Sequence, residues 1–166
     1  MAEVQSHGND FEDLIIKELT GKTKKEYDSL KGKDGYTSAM DIVKGIYYYK
    51  DVSIKTTNGN KVDCGDILRR MSEKEYEVIV GQYRQNGGYK VIHTQYTFKI
   101  KPEDYNKLWG NMKYELVEEY DTFIKSIPAG REAQQSTKEE RTIRKNNITC
   151  KDALMVIHPK VDSKKQ

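Results

Sequence analysis

The chain lacks the features that mark several large classes of protein. Its two cysteines, Cys64 and Cys150, stand alone, and no CxxC or His-rich spacing predicts a zinc site. No apolar run approaches the roughly 18 residues that a membrane-spanning helix needs. The N-terminal stretch has neither the basic head nor the apolar segment of a secretory signal. We therefore expect an intracellular, cytoplasmic protein that has no membrane partner.

Two kinds of catalytic motif are missing as well. Neither GxxxxGK(S/T) nor GxGxxG occurs, so the sequence disfavours nucleotide hydrolysis by a P-loop and the binding of a dinucleotide. No His and acid accompany either cysteine in a recognisable pattern, so a cysteine nucleophile is unsupported.

The charge is nearly balanced overall but uneven along the chain. The 166 residues carry 29 Lys and Arg against 26 Asp and Glu, a net charge of +3. Residues 131–166 contain 9 basic and 5 acidic side chains, whereas the residues before them contain 20 and 21. This length suits one domain with its own core. We therefore expect a single domain over residues 1–166, in which 131–166 form a basic C-terminal arm with a late strand.

Hydrophobic periodicity predicts a mixture of helices and strands. The expected helices cover residues 9–20, 63–71 and a long segment from Pro102 to about 128, and the expected strands cover 39–43, 47–57, 76–84, 89–100 and 149–158. The polar stretch 22–35 is expected to be a loop. This order predicts an α/β (α+β) fold in which neighbouring strands are mainly antiparallel.

The most informative residues are an acid and a lysine on two successive predicted strands. Asp41 lies on the first of these strands, and Lys55 lies near the end of the next. Because the two strands can form a hairpin, both side chains can converge on one end of the sheet. Such a pair could hold a divalent ion and position or deprotonate an attacking water. Mg²⁺ needs only one or two carboxylates when waters and substrate phosphates complete its shell.

Each of these residues also has an ordinary structural interpretation. Asp41 alone could be a cap or turn residue before a strand, and Lys55 could be a solvated lysine on an edge strand. Glu12, which falls inside the apolar arc of the first helix, could pair with Lys22 or Lys24.

Together, these residues resemble the motif of the PD-(D/E)xK nuclease superfamily, to which many type II restriction endonucleases belong. The match is Glu12 in FEDLIIKEL, Asp41 in MDIVKG and Lys55 in VSIKTT. The predicted order of elements from residue 9 to about 126 is compatible with the αβββαβ core of that fold. The resemblance therefore implies a restriction-endonuclease-like mixed sheet flanked by helices.

The resemblance also implies a reaction and a role for each residue. Asp41 and Glu12 would bind Mg²⁺, with the carbonyl of Ile54 as a third ligand, and Lys55 would orient or activate water for attack on a phosphodiester. The partner would be double-stranded DNA, and a homodimer would match a palindromic site. The implied protein is a magnesium-dependent endodeoxyribonuclease of the type II restriction class.

Ser53 departs from the family pattern, which has Asp or Glu at this position. A hydroxyl is a poor Mg²⁺ ligand, so a second carboxylate has to come from elsewhere. We favour Glu12, and the alternatives are Asp51 on the same strand or Asp63 and Asp66 from the following turn. A protein that binds nucleic acid without cleaving it, and a junction or repair nuclease, stay open as alternative functions.

Polar and basic residues elsewhere fit a nucleic-acid partner, because their donors suit phosphate oxygens. They are Thr56, Asn58, Lys61, Arg141, Arg144, Lys160 and Lys164. Residues 138–145 are equally compatible with a solvated helix face that carries internal ion pairs. Tyrosines such as Tyr83, Tyr89 and Tyr96 could stack unpaired bases. Such residues more often cover a sheet beneath a helix, and this second interpretation is the one we favour.

Overall fold

The computed structural model describes residues 2–36, 40–63, 68, 71, 74–151, 153 and 154. Within these ranges, strands and helices both occur. The helices are α1 (Ala2–Thr20), α2 (Lys24–Tyr36), a 3₁₀ turn (Pro102–Asp104), α3 (Tyr105–Trp109), α4 (Tyr114–Ser126), α5 (Arg131–Ser136) and α6 (Lys138–Ile148). The strands are β1 (Val52–Thr57), β2 (Tyr76–Asn86) and β3 (Tyr89–Ile100).

The strands form one mixed sheet in the order β1–β2–β3. β1 and β2 are parallel, and β2 and β3 are antiparallel. The expectation of mixed α and β content is therefore confirmed. The expectation of mainly antiparallel neighbours is wrong for β1 and β2, because the connection 58–75 is long enough for the crossover that a parallel pair requires. The hairpin predicted over 76–84 and 89–100 is confirmed as β2 and β3.

An apolar stripe on α1 covers one face of this sheet. The buried residues of this core are Phe11, Ile15 and Ile16 from α1, Tyr27 from α2, Ile42, Val52 and Ile54 around β1, and Ile79 from β2. Each fully buried aliphatic or aromatic side chain contributes about 1.5–3 kcal/mol. The helix predicted over 9–20 is confirmed, although it begins earlier, at Ala2.

Residues 22–35, expected to be a loop, instead form most of helix α2. A capping box fixes its start: the N–H of Thr23 donates to Glu26 Oε2 at 2.9 Å, and the N–H of Glu26 donates to Thr23 Oγ1 at 3.3 Å. Tyr27 is fully buried in the core beneath α1 and anchors the helix there. Capping and burial outweigh the two glycines that weaken this helix.

The predicted strand 39–43 is reduced to a single contact. Ile42 forms an isolated antiparallel bridge with Val52, and residue 39 lies outside the described residues. Residues 40 and 41 and residue 43 have no strand conformation. The edge of β1 is therefore paired over only a short distance.

The second predicted strand begins at Val52 rather than at residue 47. Gly45 and Tyr47 have φ angles of +89° and +56°, which a strand does not allow. The carboxylate of Asp51 accepts the backbone N–H of Lys44 at 2.7 Å and closes the turn. Residues 44–51 therefore reverse the chain before β1 starts.

The chain groups into two compact units. The first comprises residues 1–66 and 74–102, and includes α1, α2 and the sheet. The second comprises residues 67–73 and 103–166, and includes α3 to α6. The buried cluster of the second unit consists of Met71, Trp109, Met112, Val117, Tyr120, Ile124 and Ile127. Among the described residues, no helix is both long and apolar enough to cross a membrane.

The long helix predicted from Pro102 is divided into the 3₁₀ turn, α3 and α4. Gly110 ends α3 with a φ of +60°, a conformation that glycine adopts without strain. The described residues between 149 and 154 form no strand. The rest of the predicted strand 149–158, and most of the helix predicted over 63–71, lie outside the described residues.

We predict that Gly81→Ala lowers the free energy of unfolding by about 1 kcal/mol or more. A Cβ at position 81 would lie 2.9 Å from the ring of Phe11 and 3.0 Å from Ile92 Cδ1, so the buried Phe11 ring would have to shift. Urea unfolding followed by circular dichroism measures the change. Gly59→Ala is the matched control, because a Cβ there meets no atom within 4 Å. Equal stability of the two variants would contradict this close packing.

Candidate functional site

Helix α2 holds the segment that carries Asp41 against the edge of β1. Lys31 Nζ donates to the carbonyl oxygens of Met40 and Asp41 at 2.9 and 3.0 Å. The hydroxyl of Tyr27 accepts the N–H of Val43 at 2.8 Å. Burial raises the pKa of Tyr27, so its hydroxyl is neutral under ordinary conditions. These bonds fix the backbone on both sides of Asp41.

The carboxylate of Asp41 collects three donors from β1. Its Oδ2 accepts the N–H of Ile54 at 2.6 Å, and it lies 3.4 Å from Ser53 Oγ and 3.5 Å from Lys55 Nζ. The convergence of Asp41 and Lys55 that the sequence predicted is thus present. Both side chains keep 24% of their surface exposed, so the pair is accessible.

Alternation along β1 places Ser53 and Lys55 on the sheet face opposite the α1 core. Val52 and Ile54 belong to that core, and side chains two residues apart share a face. Ser53 is nevertheless almost completely buried, with 1% of its surface exposed. A position that is an acid in the family motif is therefore occupied by an enclosed hydroxyl next to Asp41.

Glu12 is held by an ion pair, one of the structural interpretations that the sequence left open. Lys24 Nζ lies 2.8 Å from Glu12 Oε2, and both side chains are partly buried. Burial by itself lowers the pKa of Lys24, but the hydrogen bond and charge of Glu12, with weaker effects from Asp28 and Asp41, raise it overall. Lys24 is therefore firmly charged and interacts electrostatically with both candidate carboxylates.

Sequence reasoning missed the contribution of helix α2 to the site. Lys24 pairs with Glu12, as one structural interpretation of the sequence allows, but Lys31, which binds the backbone of Asp41, has no predicted role. The prediction of a loop over residues 22–35 gives no reason to place Lys31 beside Asp41. The capping-box pattern formed by Thr23 and Glu26 is the signal that predicts this helix.

The described residues supply too few ligands to coordinate a divalent ion by themselves, so substrate oxygens would have to complete the coordination shell of the ion. Within them, no group of three or more His, Cys, Asp or Glu side chains is placed to hold a metal. Asp41 and Glu12 are the two candidate carboxylates, and the charge of Lys24 interacts with both of them. The N–H of Ile54 faces Asp41, and its carbonyl shares that edge because the two groups of a strand residue point the same way. Such a sparse oxygen set suits Mg²⁺ with waters and phosphate.

The other acids proposed to replace the one missing at position 53 have different placements. The carboxylate of Asp51 binds the backbone of Lys44 and closes the turn before β1. Asp63 is exposed beyond the end of β1, and Asp66 lies outside the described residues. Glu12, paired with Lys24, stays our preferred second carboxylate.

The polar residues predicted beyond the site lie at the C-terminal end of β1 and after it. Thr56 lines a small cavity of about 180 Å³ on the α1 side of the sheet, with Phe11 and Tyr83 among its other walls. Asn58 and Lys61 are exposed in the loop that follows. Thr57 Oγ1 donates to the carbonyl of Lys61 at 2.6 Å and holds this loop in a turn.

The predicted arginines of the C-terminal arm belong to the second unit and make contacts within it. Arg141 donates to the carbonyl of Gln134, and Arg144 pairs with Glu140 one helical turn away. The guanidinium of Arg144 also lies 4.1 Å from the centre of the Phe123 ring. The internal ion pair expected of a solvated helix face is thus present in α6. Lys160 and Lys164 lie outside the described residues.

Comparison with known proteins adds no relative: no family model, curated protein or solved structure matches this chain.

We predict that Asp41→Ala lowers the free energy of unfolding by about 1–3 kcal/mol, because it leaves the buried N–H of Ile54 without its acceptor. Asp41→Asn keeps a side-chain oxygen at this position and should cost less than about 1 kcal/mol. Urea unfolding of the two variants measures the difference. If Asp41→Ala is as stable as the wild type, this carboxylate does not hold the edge of β1.

Proposed function

We propose that this protein is a Mg²⁺-dependent endonuclease that hydrolyses phosphodiester bonds in DNA. The observation that carries the proposal is the convergence of Asp41 and Lys55 on one accessible edge of the sheet, with 3.5 Å between Oδ2 and Nζ. A carboxylate and an ammonium from adjacent segments are the groups that the PD-(D/E)xK motif combines. The type II restriction endonucleases are therefore our preferred class.

The order of the elements supports the same proposal. Helix α1 is followed by the segment that bridges antiparallel to β1, then by β1 itself, and then by β2, which is parallel to β1. The PD-(D/E)xK resemblance implies a similar sequence of elements, with the acid on one extended segment and the lysine on the next. We propose a restriction-endonuclease-like fold on this basis.

Hydrolysis of a phosphodiester needs a positioned water and stabilisation of the charge that develops on the phosphate. Lys55 would orient the water and neutralise part of that charge, while its ion pair with Asp41 would hold the ammonium in position. Asp41, Glu12 and the Ile54 carbonyl would hold Mg²⁺, which would supply Lewis-acid stabilisation of the phosphate. Lys24 and Lys31 add positive charge beside the carboxylates.

The remaining features of the proposal follow from the resemblance. Asn58 and Lys61 would contact phosphates next to the site, whereas Thr56 would reach nucleic acid only from the α1 side of the sheet, opposite the face of Lys55. Duplex DNA and a homodimer are the substrate and assembly that we propose, in a cytoplasmic setting. The arginines of α6 would contribute only through exposed parts of their side chains.

We predict that the wild type cuts DNA in the presence of Mg²⁺, and that Asp41→Asn and Lys55→Met each slow cutting by about 10²-fold or more. Each change removes one charged group of the pair while keeping the size of the side chain. Gel analysis of plasmid and of short labelled DNA measures the rates. Asp41→Asn is used instead of Asp41→Ala because it preserves an acceptor for Ile54.

The matched controls are Asp121→Asn and Lys125→Met, which disrupt another aspartate–lysine pair on the exposed face of α4. Both should cut at the wild-type rate. The endonuclease proposal is wrong if purified wild type gives no Mg²⁺-dependent cleavage. The catalytic assignment alone is wrong if Asp41→Asn or Lys55→Met cuts as fast as these controls.

A second function, nucleic-acid binding without cleavage, is favoured by one observation. Ser53 puts a buried hydroxyl where the family motif has a carboxylate, and Glu12 is already paired with Lys24. Binding that is steeply salt-dependent, indifferent to Mg²⁺ and free of cleavage would select this function.

We predict that Ser53→Asp makes stability dependent on divalent ions. A second carboxylate beside Asp41 is buried and repelled by a like charge, so melting in EDTA should occur at a lower temperature than in the wild type. Mg²⁺ should recover much of the loss, because two adjacent carboxylates form a better site for it. Thermal melting with EDTA or Mg²⁺ measures this, with Ser53→Asn as the uncharged control. Equal responses of the two variants to Mg²⁺ would contradict the position of a metal site here.

A further inference from the structure

An exposed pair of aromatic rings lies on the same sheet face as the candidate site. Tyr96 and Phe98 of β3 are 45% and 50% exposed, and their rings are nearly parallel, with centroids 6.1 Å apart and an interplanar angle of 22°. We had expected tyrosines such as Tyr96 to cover the sheet, but Tyr96 leaves almost half of its surface open. Large exposed aromatic side chains grouped on a surface often mark a binding site.

The register of the sheet connects these rings to Lys55 and Ser53. Lys55 is opposite Val80 on β2, and Val80 is opposite Tyr96 on β3. The neighbouring row runs in the same way from Ser53 through Val78 to Phe98. Residues in one row share a face, and two strand spacings amount to about 10 Å between the backbones of β1 and β3. The two rings therefore lie on the same face of the sheet as Lys55, two strands away, and not on the opposite face.

Hydrogen bonds connect the rings to the loop after β1. The hydroxyl of Tyr96 donates to Gln82 Oε1 at 3.4 Å, and Gln82 Nε2 donates to the carbonyl of Gly59 at 3.1 Å. This chain of contacts orients the Tyr96 ring and ties it to the loop that carries Asn58 and Lys61. The next row of the sheet, Thr57, Gln82 and Thr94, is polar.

We propose that Tyr96 and Phe98 form a stacking surface for an unpaired nucleobase of the strand whose phosphodiester lies at Lys55. The inference rests on the proposed function and adds to its duplex substrate a stretch of unpaired bases beside the cleaved phosphate, such as a single-stranded overhang or a gap. Every base has a π-face that stacks on an aromatic ring, and a nearby cation binds the adjoining phosphate. An ammonium, polar donors and open aromatic faces on one surface match a single strand better than they match a second apolar chain.

The test uses Tyr96→Ile/Phe98→Ile, which removes both ring faces and introduces β-branched residues that suit a strand. Fluorescence anisotropy in EDTA, where Mg²⁺-dependent cutting is prevented, measures binding to three labelled probes. They are a single-stranded oligonucleotide, the same strand with several abasic positions, and the fully paired duplex.

We expect the double variant to bind the single strand about 5- to 100-fold more weakly than the wild type, with the same dependence on salt. The wild type should bind the abasic strand more weakly than the intact single strand. The wild type and the double variant should bind the abasic strand with equal affinity. Affinity for the duplex should not change. Phe98→Tyr, which keeps both rings and the Tyr96 hydroxyl, should bind like the wild type. So should Tyr89→Ile, which removes an exposed aromatic residue near the hairpin turn.

The failures of the two proposals are distinguishable. If the wild type binds none of the probes and cuts no DNA with Mg²⁺, both the proposed function and the stacking surface are overturned. If it cuts DNA but binds none of the probes, or if the double variant binds the single strand as well as the wild type does, only the stacking surface is overturned. It is also overturned if the double variant weakens duplex binding to the same extent, or if it converts a dimer into a monomer in sedimentation. The last result would assign these rings to self-association.

Discussion

The hydrogen bond between the N–H of Ile54 and the carboxylate of Asp41 organises the edge of β1. The N–H of Val52 donates to the carbonyl of Ile42, and the carbonyl of Val52 accepts the N–H groups of Ile42 and Asp41. The Asp41 side chain then takes the place that a carbonyl of a longer strand would occupy. The short segment around Asp41 and Ile42 thereby provides hydrogen-bond partners for the backbone groups at the edge of β1, and the Asp41 carboxylate stays partly exposed. The position of Lys55 relative to Asp41 follows from this arrangement, because Lys55 is the next residue of the same strand.

Successive side chains of β1 point to opposite faces of the sheet, so that one face packs against the core and the other carries the candidate site. Val52 and Ile54 enter the α1 core and determine how the strand is held. Ser53 and Lys55 face the other way, towards the row that ends in Tyr96 and Phe98. Core packing on one face therefore determines which side chains occupy the other face. A shift of the β1 register by one residue would exchange the two sets of side chains. The ring of Phe11 against Gly81 contributes to the same constraint, because it lets α1 approach the sheet closely.

Strong local patterns in the sequence predicted the elements that depend on them. The apolar spacing in α1 and the alternation on either side of the turn at Gly87 gave a helix and a hairpin that the structure contains. The proximity of Asp41 and Lys55 was also predictable, because an acid and a lysine on successive extended segments meet at one edge. The two residues do not need the full hairpin that the sequence predicts over 39–57. The isolated bridge between Ile42 and Val52 is enough to bring Asp41 next to β1.

The errors arose where a tertiary contact or a local backbone conformation decided the structure. The glycines and charged residues of helix α2 predict a polar loop. The features that make it a helix are its capping box and a single buried residue, Tyr27, and neither stands out in so polar a sequence. The left-handed conformation at Tyr47 has no clear signal in a run of three tyrosines, so the strand was predicted to begin too early. The parallel pairing of β1 and β2 depends on a crossover, and the sequence of either strand alone does not specify its direction.

The arrangement of charge around Asp41 suggests how the proposed activity would depend on its substrate. Each candidate carboxylate is already matched by an ammonium group, Glu12 by Lys24 and Asp41 by Lys55. A free Mg²⁺ ion would have to compete with those lysines, and Ser53 offers it no additional negative charge. A phosphodiester brings its own charge and its own oxygen ligands, and it interacts favourably with the same lysines. The site is therefore better suited to taking up the ion together with the phosphate than to holding it in advance.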